Sequence, residues 1–210
     1  MSSAATSVSG SGGLRPSQRD CSHPHGECMA DPRRRVLVAY ATARGSTRDV
    51  AERIGNKLSA VADVDVRAAG TDLNPELDRF DAFVIGSAVH DMAWLPPGRR
   101  LVADLAPALR DRPVWLFSVA GIDPRGRTRT WMARQETALV ARGLPDELRP
   151  QDHRLFGGVV RMEGVPLWGR LFYLLVRQRP GDHRDWAAIE AWADDIARSL
   201  SSSTSGAGAR

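Results

Sequence analysis

Apolar and polar positions fall in blocks along the chain, and the blocks change period. Val36–Ala41 is a short continuous apolar run with β-branched residues, which suits a strand buried on both faces. Val50, Ile54 and Leu58 follow at helical spacing within Thr47–Ala60. Val64–Ala68 predicts a second, weaker strand, and Phe80–Ser87 a third. Leu101, Val102, Leu105 and Leu109 share one side of a helix over Gly98–Leu109. Pro113–Val119 predicts the fourth strand, Arg129–Arg142 a helix and Arg154–Val160 the fifth strand. Val165–Arg177 reads as an apolar helix with basic flanks. Asp185–Ser199 closes the pattern as an amphipathic helix, with Trp186, Ile189, Trp192 and Ile196 facing inward. Strands alternating with helices predict an α/β domain whose parallel sheet is covered on both faces. Ligands of such sheets bind beyond the carboxyl ends of the strands, which directs attention to the loops after strands one, three and four.

The pattern also sets boundaries. Residues 1–32 are rich in Ser, Gly, Pro and Asp and predict a disordered tail, as does 201–210, leaving an ordered domain over 33–200. No stretch approaches the roughly 20 apolar residues of a bilayer span. The first residues show no basic segment leading into an apolar run, so a cytoplasmic location is expected. Cys21 and Cys28 are the only cysteines, too few for a disulfide framework. With His23 and His25 they place four zinc-binding side chains close together, but their spacing is tighter than in common fingers and Pro24 restricts the loop. The expectation is a tail without metal.

Charge changes the picture only a little. The formal net charge is +4, and of 29 basic side chains Lys57 alone is lysine. An arginine-favouring genome explains this bias; a surface that attracts anions is the functional reading, and charge alone does not choose between them.

Chemistry concentrates where the first strand meets its helix. Thr42-Ala43-Arg44-Gly45-Ser46-Thr47 places three hydroxyls and a glycine at a helix N-terminus, where unpaired N–H groups and a partial positive charge favour an anion. The loop lacks the G-x-G-x-x-G of a dinucleotide site and the Gly-Lys-Ser/Thr of a Walker loop. It suits the monophosphate of a mononucleotide. The same residues also suit a plain N-cap by Ser46 or Thr42.

Arg35 to Ile54 resembles the flavodoxin signature, in which T-x-T-G-x-T follows the first strand: Thr42, Gly45 and Thr47 match, and Arg44 stands at the middle threonine. The resemblance implies a flavodoxin-like three-layer sandwich with a five-stranded parallel sheet of order 2-1-3-4-5, binding FMN non-covalently. It implies Thr42, Arg44, Gly45, Ser46 and Thr47 at the phosphate, and Ser87, Ala88, Val89 and His90 beside the isoalloxazine ring. Ser118, Val119 and Ala120 would meet the pyrimidine edge. His90 reads equally as an exposed loop histidine, and Trp94 reads as flavin-facing or as packing.

From the fifth strand onward the order is strand, arginine-containing link, basic-flanked apolar helix, Gly turn, Asp185-Trp186 and a closing helix. This resembles the flavodoxin-like, menaquinone-dependent protoporphyrinogen oxidase family. It implies an FMN-dependent oxidoreductase that takes a porphyrinogen as substrate and a quinone as acceptor, with no nucleic-acid partner. The two propionates of that substrate suit arginines: Arg125, Arg127, Arg129 and Arg161 are the expected partners, with Arg170 a further candidate. No protein nucleophile is needed, and no residue is assigned as catalytic. Residues 165–179 fit either a helix buried against the sheet or one lying on an anionic membrane surface. An FMN-dependent quinone reductase, an FMN-binding electron-transfer module and a flavin-free binding domain are the alternatives.

Overall fold

The structure, a computed structural model, describes residues 33–71, 74–121, 144–145, 148–160 and 180–205. Five parallel strands form the centre: β1 (Arg35–Ala41), β2 (Asp63–Ala68), β3 (Ala82–His90), β5 (Val114–Ala120) and β6 (Asp152–Gly157). Their order is β2-β1-β3-β5-β6, the expected flavodoxin-like 2-1-3-4-5 when only the parallel strands are numbered. A two-residue strand, β4 (Ala93–Trp94), folds back antiparallel on β3. A separate small ladder joins β7 (Val159–Val160) to β8 (Gly181–Asp182). The helices among the described residues are α1 (Ser46–Leu58), α2 (Pro96–Leu109) and α3 (Trp186–Ser205), with a 3₁₀ turn at Asn74–Arg79.

Strand periodicity divides the core in two. Val36, Val38, Val84, Trp115 and Phe117 face α1 and α3, where Val50, Ile54, Leu58, Ile189, Trp192 and Ile196 meet them. Leu37, Ala39, Phe83, Ile85, Val114 and Leu116 face α2, through Leu101, Val102 and Leu105. Central strands buried on both sides must be apolar at every position, which is why Val36–Ala41 reads as a continuous run. Each fully buried aliphatic side chain contributes about 1.5–3 kcal/mol.

One glycine sets the packing on the α1–α3 side. A Cβ on Gly86 would lie 2.1 Å from Phe117 Cζ, because that ring covers the β3 backbone and then meets Trp192 edge-on at 6.2 Å. Gly86→Ala is therefore expected to cost about 1–3 kcal/mol by overpacking, read as a lowered urea midpoint at unchanged m-value.

The structure corrects the sequence reading at four places. The fifth strand does not run through to Val160. At Gly158 the chain changes partner: its N–H donates to Ala120 O at 2.7 Å and its carbonyl accepts from His183 N–H at 3.0 Å. Val159 and Val160 consequently leave the main sheet. β3 extends to His90 because the β4 return gives its end an antiparallel partner. The closing helix reaches Ser205 rather than stopping at 199, with Ser201 Oγ donating to Ala197 O, so the C-terminal tail does not begin at 201. Trp186 is half-buried at the edge of the core, with Arg53 and Arg184 guanidinium groups over its ring at 5.1 and 4.6 Å. The tail 1–32, the helices expected over 129–142 and 165–177, and Cys21, His23, His25 and Cys28 lie outside the described residues.

Candidate functional site

The loop leaving β1 is folded by its own side chain. Thr42 Oγ1 accepts a hydrogen bond from Gly45 N–H at 2.9 Å. Gly45 then takes φ +94°, a left-handed conformation that glycine adopts without strain, and becomes the N-cap of α1. No side chain caps this helix, so neither Ser46 nor Thr42 plays the N-cap role considered for them. The first-turn N–H groups are left for another acceptor.

Thr47 carries the clearest signal. It is fully buried, and its Oγ1 has no hydrogen-bond partner among the described residues. An unsatisfied buried hydroxyl costs about 1–3 kcal/mol. At the first turn of an uncapped helix, an anion would offer the acceptor that this hydroxyl lacks.

Three strand ends complete a cleft of about 340 Å³, within the usual range for small-molecule sites. The phosphate-loop side supplies Ala43, Arg44 and Ser46; β3 supplies Ala88, Val89 and His90; β5 and its exit supply Val119, Ala120 and Gly121; Gly158, Val159 and Val160 form a further wall. Arg44 is exposed and has no ion pair with a described residue. The lining is mostly apolar, with Arg44, Ser46 and His90 its polar side chains. That set fits a flat aromatic ring bearing one phosphate, as FMN does.

Of the residues expected at the cofactor, Arg44, Ser46, Ala88, Val89, His90, Val119 and Ala120 line the cleft. Thr42, Gly45 and Thr47 do not line it: Thr42 folds the loop through Gly45, and Thr47 is buried in the first turn of α1. Ser87 and Ser118 do not line the cleft either. Both share the strand face of Ile85 and Leu116 and so point towards α2. Ser87 Oγ donates to Ala88 O at 2.9 Å and accepts from Leu95 N–H at 3.2 Å. Ser118 Oγ accepts from Trp94 Nε1–H at 2.7 Å and bonds His153 Nε2 at 2.9 Å. Trp94 is accordingly a packing residue, 2% exposed, and does not face the cleft. Arg125, Arg127, Arg129, Arg161 and Arg170 lie outside the described residues.

Sequence reasoning missed Ala43, Gly121, Gly158, Val159 and Val160. The Gly157-Gly158 pair inside an apparent strand was the available signal, since glycine there marks a bulge or a close approach. A Cβ on Gly158 would lie 2.9 Å from Val119 Cγ1, 3.1 Å from Ala120 O and 3.6 Å from Ser46 Oγ.

Two further features frame the cleft. The β3–β4 hairpin turns through Asp91 and Met92 at φ 51° and 60°, and His90 Nδ1 sits 3.1 Å from Asp91 Oδ2. Positive φ at both central residues is the two-residue hairpin pattern usually filled by Asn-Gly, so Met92 holds a strained conformation. On the other side, Arg184 joins Asp182 of β8 to Asp49 in the first turn of α1, at 2.5 and 2.7 Å. It thereby ties the wall beyond Gly158 to the phosphate helix. Hydrogen bonds from Arg184 and then burial act on Asp182 in opposite senses, and its carboxyl stays below the usual range.

His153 behaves differently from a surface imidazole. Burial pushes its pKa down from 6.5 to about 4, against a smaller opposing pull from Asp152. Burial works to raise Asp152 as well, but hydrogen bonds from Arg154 and Trp192 prevail and hold it low. Between pH 6.5 and 4 the unfolded chain takes up the His153 proton more readily than the folded one. The stability that neutral His153 contributes is therefore complete above pH 6.5 and is lost as pH falls towards 4, by about 3 kcal/mol. Urea midpoints at pH 7 and pH 4.5 check this: the wild type should lose markedly more than His153→Gln.

No group of three or more metal-ligating side chains occurs among the described residues. None of the described helices is long and apolar enough to cross a membrane. A family model for a flavodoxin domain matches residues 37–186. No curated protein matches the chain. Among solved structures, a flavodiiron core from Synechocystis is 16% identical with a TM-score of 0.51, covering 81% of this chain and 37% of that one. An archaeal flavodoxin is 16% identical with a TM-score of 0.49, covering 80% of this chain and 99% of that one. A WrbA-like flavodoxin from Agrobacterium tumefaciens is 11% identical with a TM-score of 0.47, covering 80% and 98%.

Proposed function

This chain belongs to the flavodoxin domain family, and from that premise we propose that it is an FMN-dependent oxidoreductase that oxidises protoporphyrinogen IX with a quinone as acceptor. Its cofactor is FMN, which supplies two-electron acceptance and donation when bound. The buried, unpartnered Thr47 hydroxyl at the uncapped start of α1 carries the cofactor site. Thr47, Ser46 and the first-turn N–H groups hold the phosphate, and Arg44 adds a cation at the rim. Ala88, Val89 and His90 on one side, with Val119, Ala120 and Gly121 on the other, hold the ring and keep water from its faces. None of these residues is asked to act as a nucleophile.

The substrate assignment rests on the order of elements after β6 and on the arginines of this basic chain. Arg125, Arg127, Arg129 and Arg161 are assigned to the substrate propionates. A net charge of +4 argues against a carrier that docks through an acidic face. Residues 165–179 fit either a helix buried against the sheet or one on an anionic membrane surface, and the second would bring the site to a membrane quinone.

The test is anaerobic protoporphyrinogen oxidation by the flavin-loaded protein with a menaquinone analogue. Turnover well above a free-FMN control is expected, and turnover equal to that control overturns the substrate assignment. Flotation with anionic liposomes checks the membrane contact, which recovery wholly in the soluble fraction would remove.

A further inference from the structure

Behind the cleft lies a buried polar chain that cofactor binding as described does not use. The Trp94 indole can only donate, so Ser118 Oγ must accept from it. In the Nδ1–H tautomer of neutral His153, Nε2 is the acceptor and takes the hydrogen bond from the Ser118 hydroxyl. Ser118 is fully buried, Trp94 nearly so, and the His153 ring stands edge-on to the indole at 6.1 Å.

The position of this chain matters more than its composition. Trp94 lies directly across the ladder from Val89, which lines the cleft on the β3 side. Ser118 immediately precedes Val119, which lines it on the β5 side. β3 pairs with β5 as far as Ala88 and Val119; beyond that point, among the described residues, β4 pairs with β3 alone, and the Trp94–Ser118 bond adds a side-chain tie from the hairpin to β5. We propose that the Trp94–Ser118–His153 chain holds the β3–β4 hairpin, with Val89 and His90, in place beyond the last β3–β5 pair, and that His153 is a positioning residue for the flat ring that meets this wall. The proposal rests on FMN occupying this cleft.

The experiment titrates apoprotein with FMN and with riboflavin, following fluorescence quenching and the visible spectrum of the bound flavin. Trp94→Phe, Ser118→Ala and His153→Leu are expected to weaken both flavins by the same factor, roughly five- to tenfold, and to shift the visible bands. His153→Gln should restore wild-type binding, because its amide oxygen can accept from Ser118. Thermal melts without flavin identify the folded variants, and Trp94→Phe, which keeps the ring, is the mildest. Folded Trp94→Phe and Ser118→Ala proteins that bind both flavins with unchanged affinity and spectrum overturn the proposal. So does a loss confined to FMN, which would place the effect at the phosphate loop. A wild-type protein that takes up neither flavin overturns the cofactor site itself, before any variant is compared.

Discussion

Thr47→Val is expected to make the apoprotein more stable and the flavin complex weaker. Valine has nearly the shape of threonine but leaves no hydroxyl to satisfy. Thr47 is fully buried and its Oγ1 is unpartnered among the described residues, so the substitution should raise the unfolding free energy of the apoprotein by about 1 kcal/mol. In the proposed complex the same hydroxyl would donate to a phosphate oxygen. Hydrogen bonds to charged groups are worth about 1.5–3 kcal/mol, so FMN affinity should fall about 10- to 100-fold. Riboflavin, which lacks the phosphate, should bind as before. Urea denaturation of the apoprotein and paired titrations measure the two effects independently. Equal loss of both flavins, or a destabilised apoprotein, would show that Thr47 serves packing alone.

Gly158→Val tests the wall that the sequence reading passed over. The added side chain would start within 2.9 Å of Val119 Cγ1 and 3.1 Å of Ala120 O, between the end of β5 and Ser46. It has to occupy space that the flavin needs. Both FMN and riboflavin should lose affinity by at least about 100-fold, or ~3 kcal/mol. Because Gly158 lines an open cleft rather than the closed core, the far-ultraviolet spectrum and the order of elements should persist. Wild-type affinity in this variant would remove Gly158 from the site.

The sheet was readable because each central strand is apolar on both faces and each helix has a single apolar stripe. Val36–Ala41 and the Val50–Ile54–Leu58 series need no tertiary information to be recognised. The loop after β1 stood out as a candidate anion site for the same local reason: hydroxyls and a glycine sit between a strand and a helix. The side-chain direction of Ser87 and Ser118 was not legible, because a motif gives proximity and not direction. Counting by twos from Phe83 and Val114 puts both on the α2 side. The β3–β4 hairpin stayed hidden because Asp91-Met92 is not a usual turn pair, and its left-handed backbone is held by the ladder and by Ser87. The wall at Gly158–Val160 depends on a change of hydrogen-bond partner with β8, more than 20 residues further along. No local pattern encodes such a pairing.

The packing of α3 on α1 has a consequence for when the site comes into being. Val50, Ile54 and Leu58 on the phosphate-bearing helix share one apolar cluster with Ile189, Trp192, Ile196 and Leu200. During synthesis, the first of these groups leaves the ribosome long before the second. Until the last helix emerges, α1 packs on the sheet but lacks the cover that α3 supplies. Cofactor capture thus belongs to the end of biosynthesis, and a ribosome-bound nascent chain halted before Trp186 should remain colourless in the presence of excess FMN.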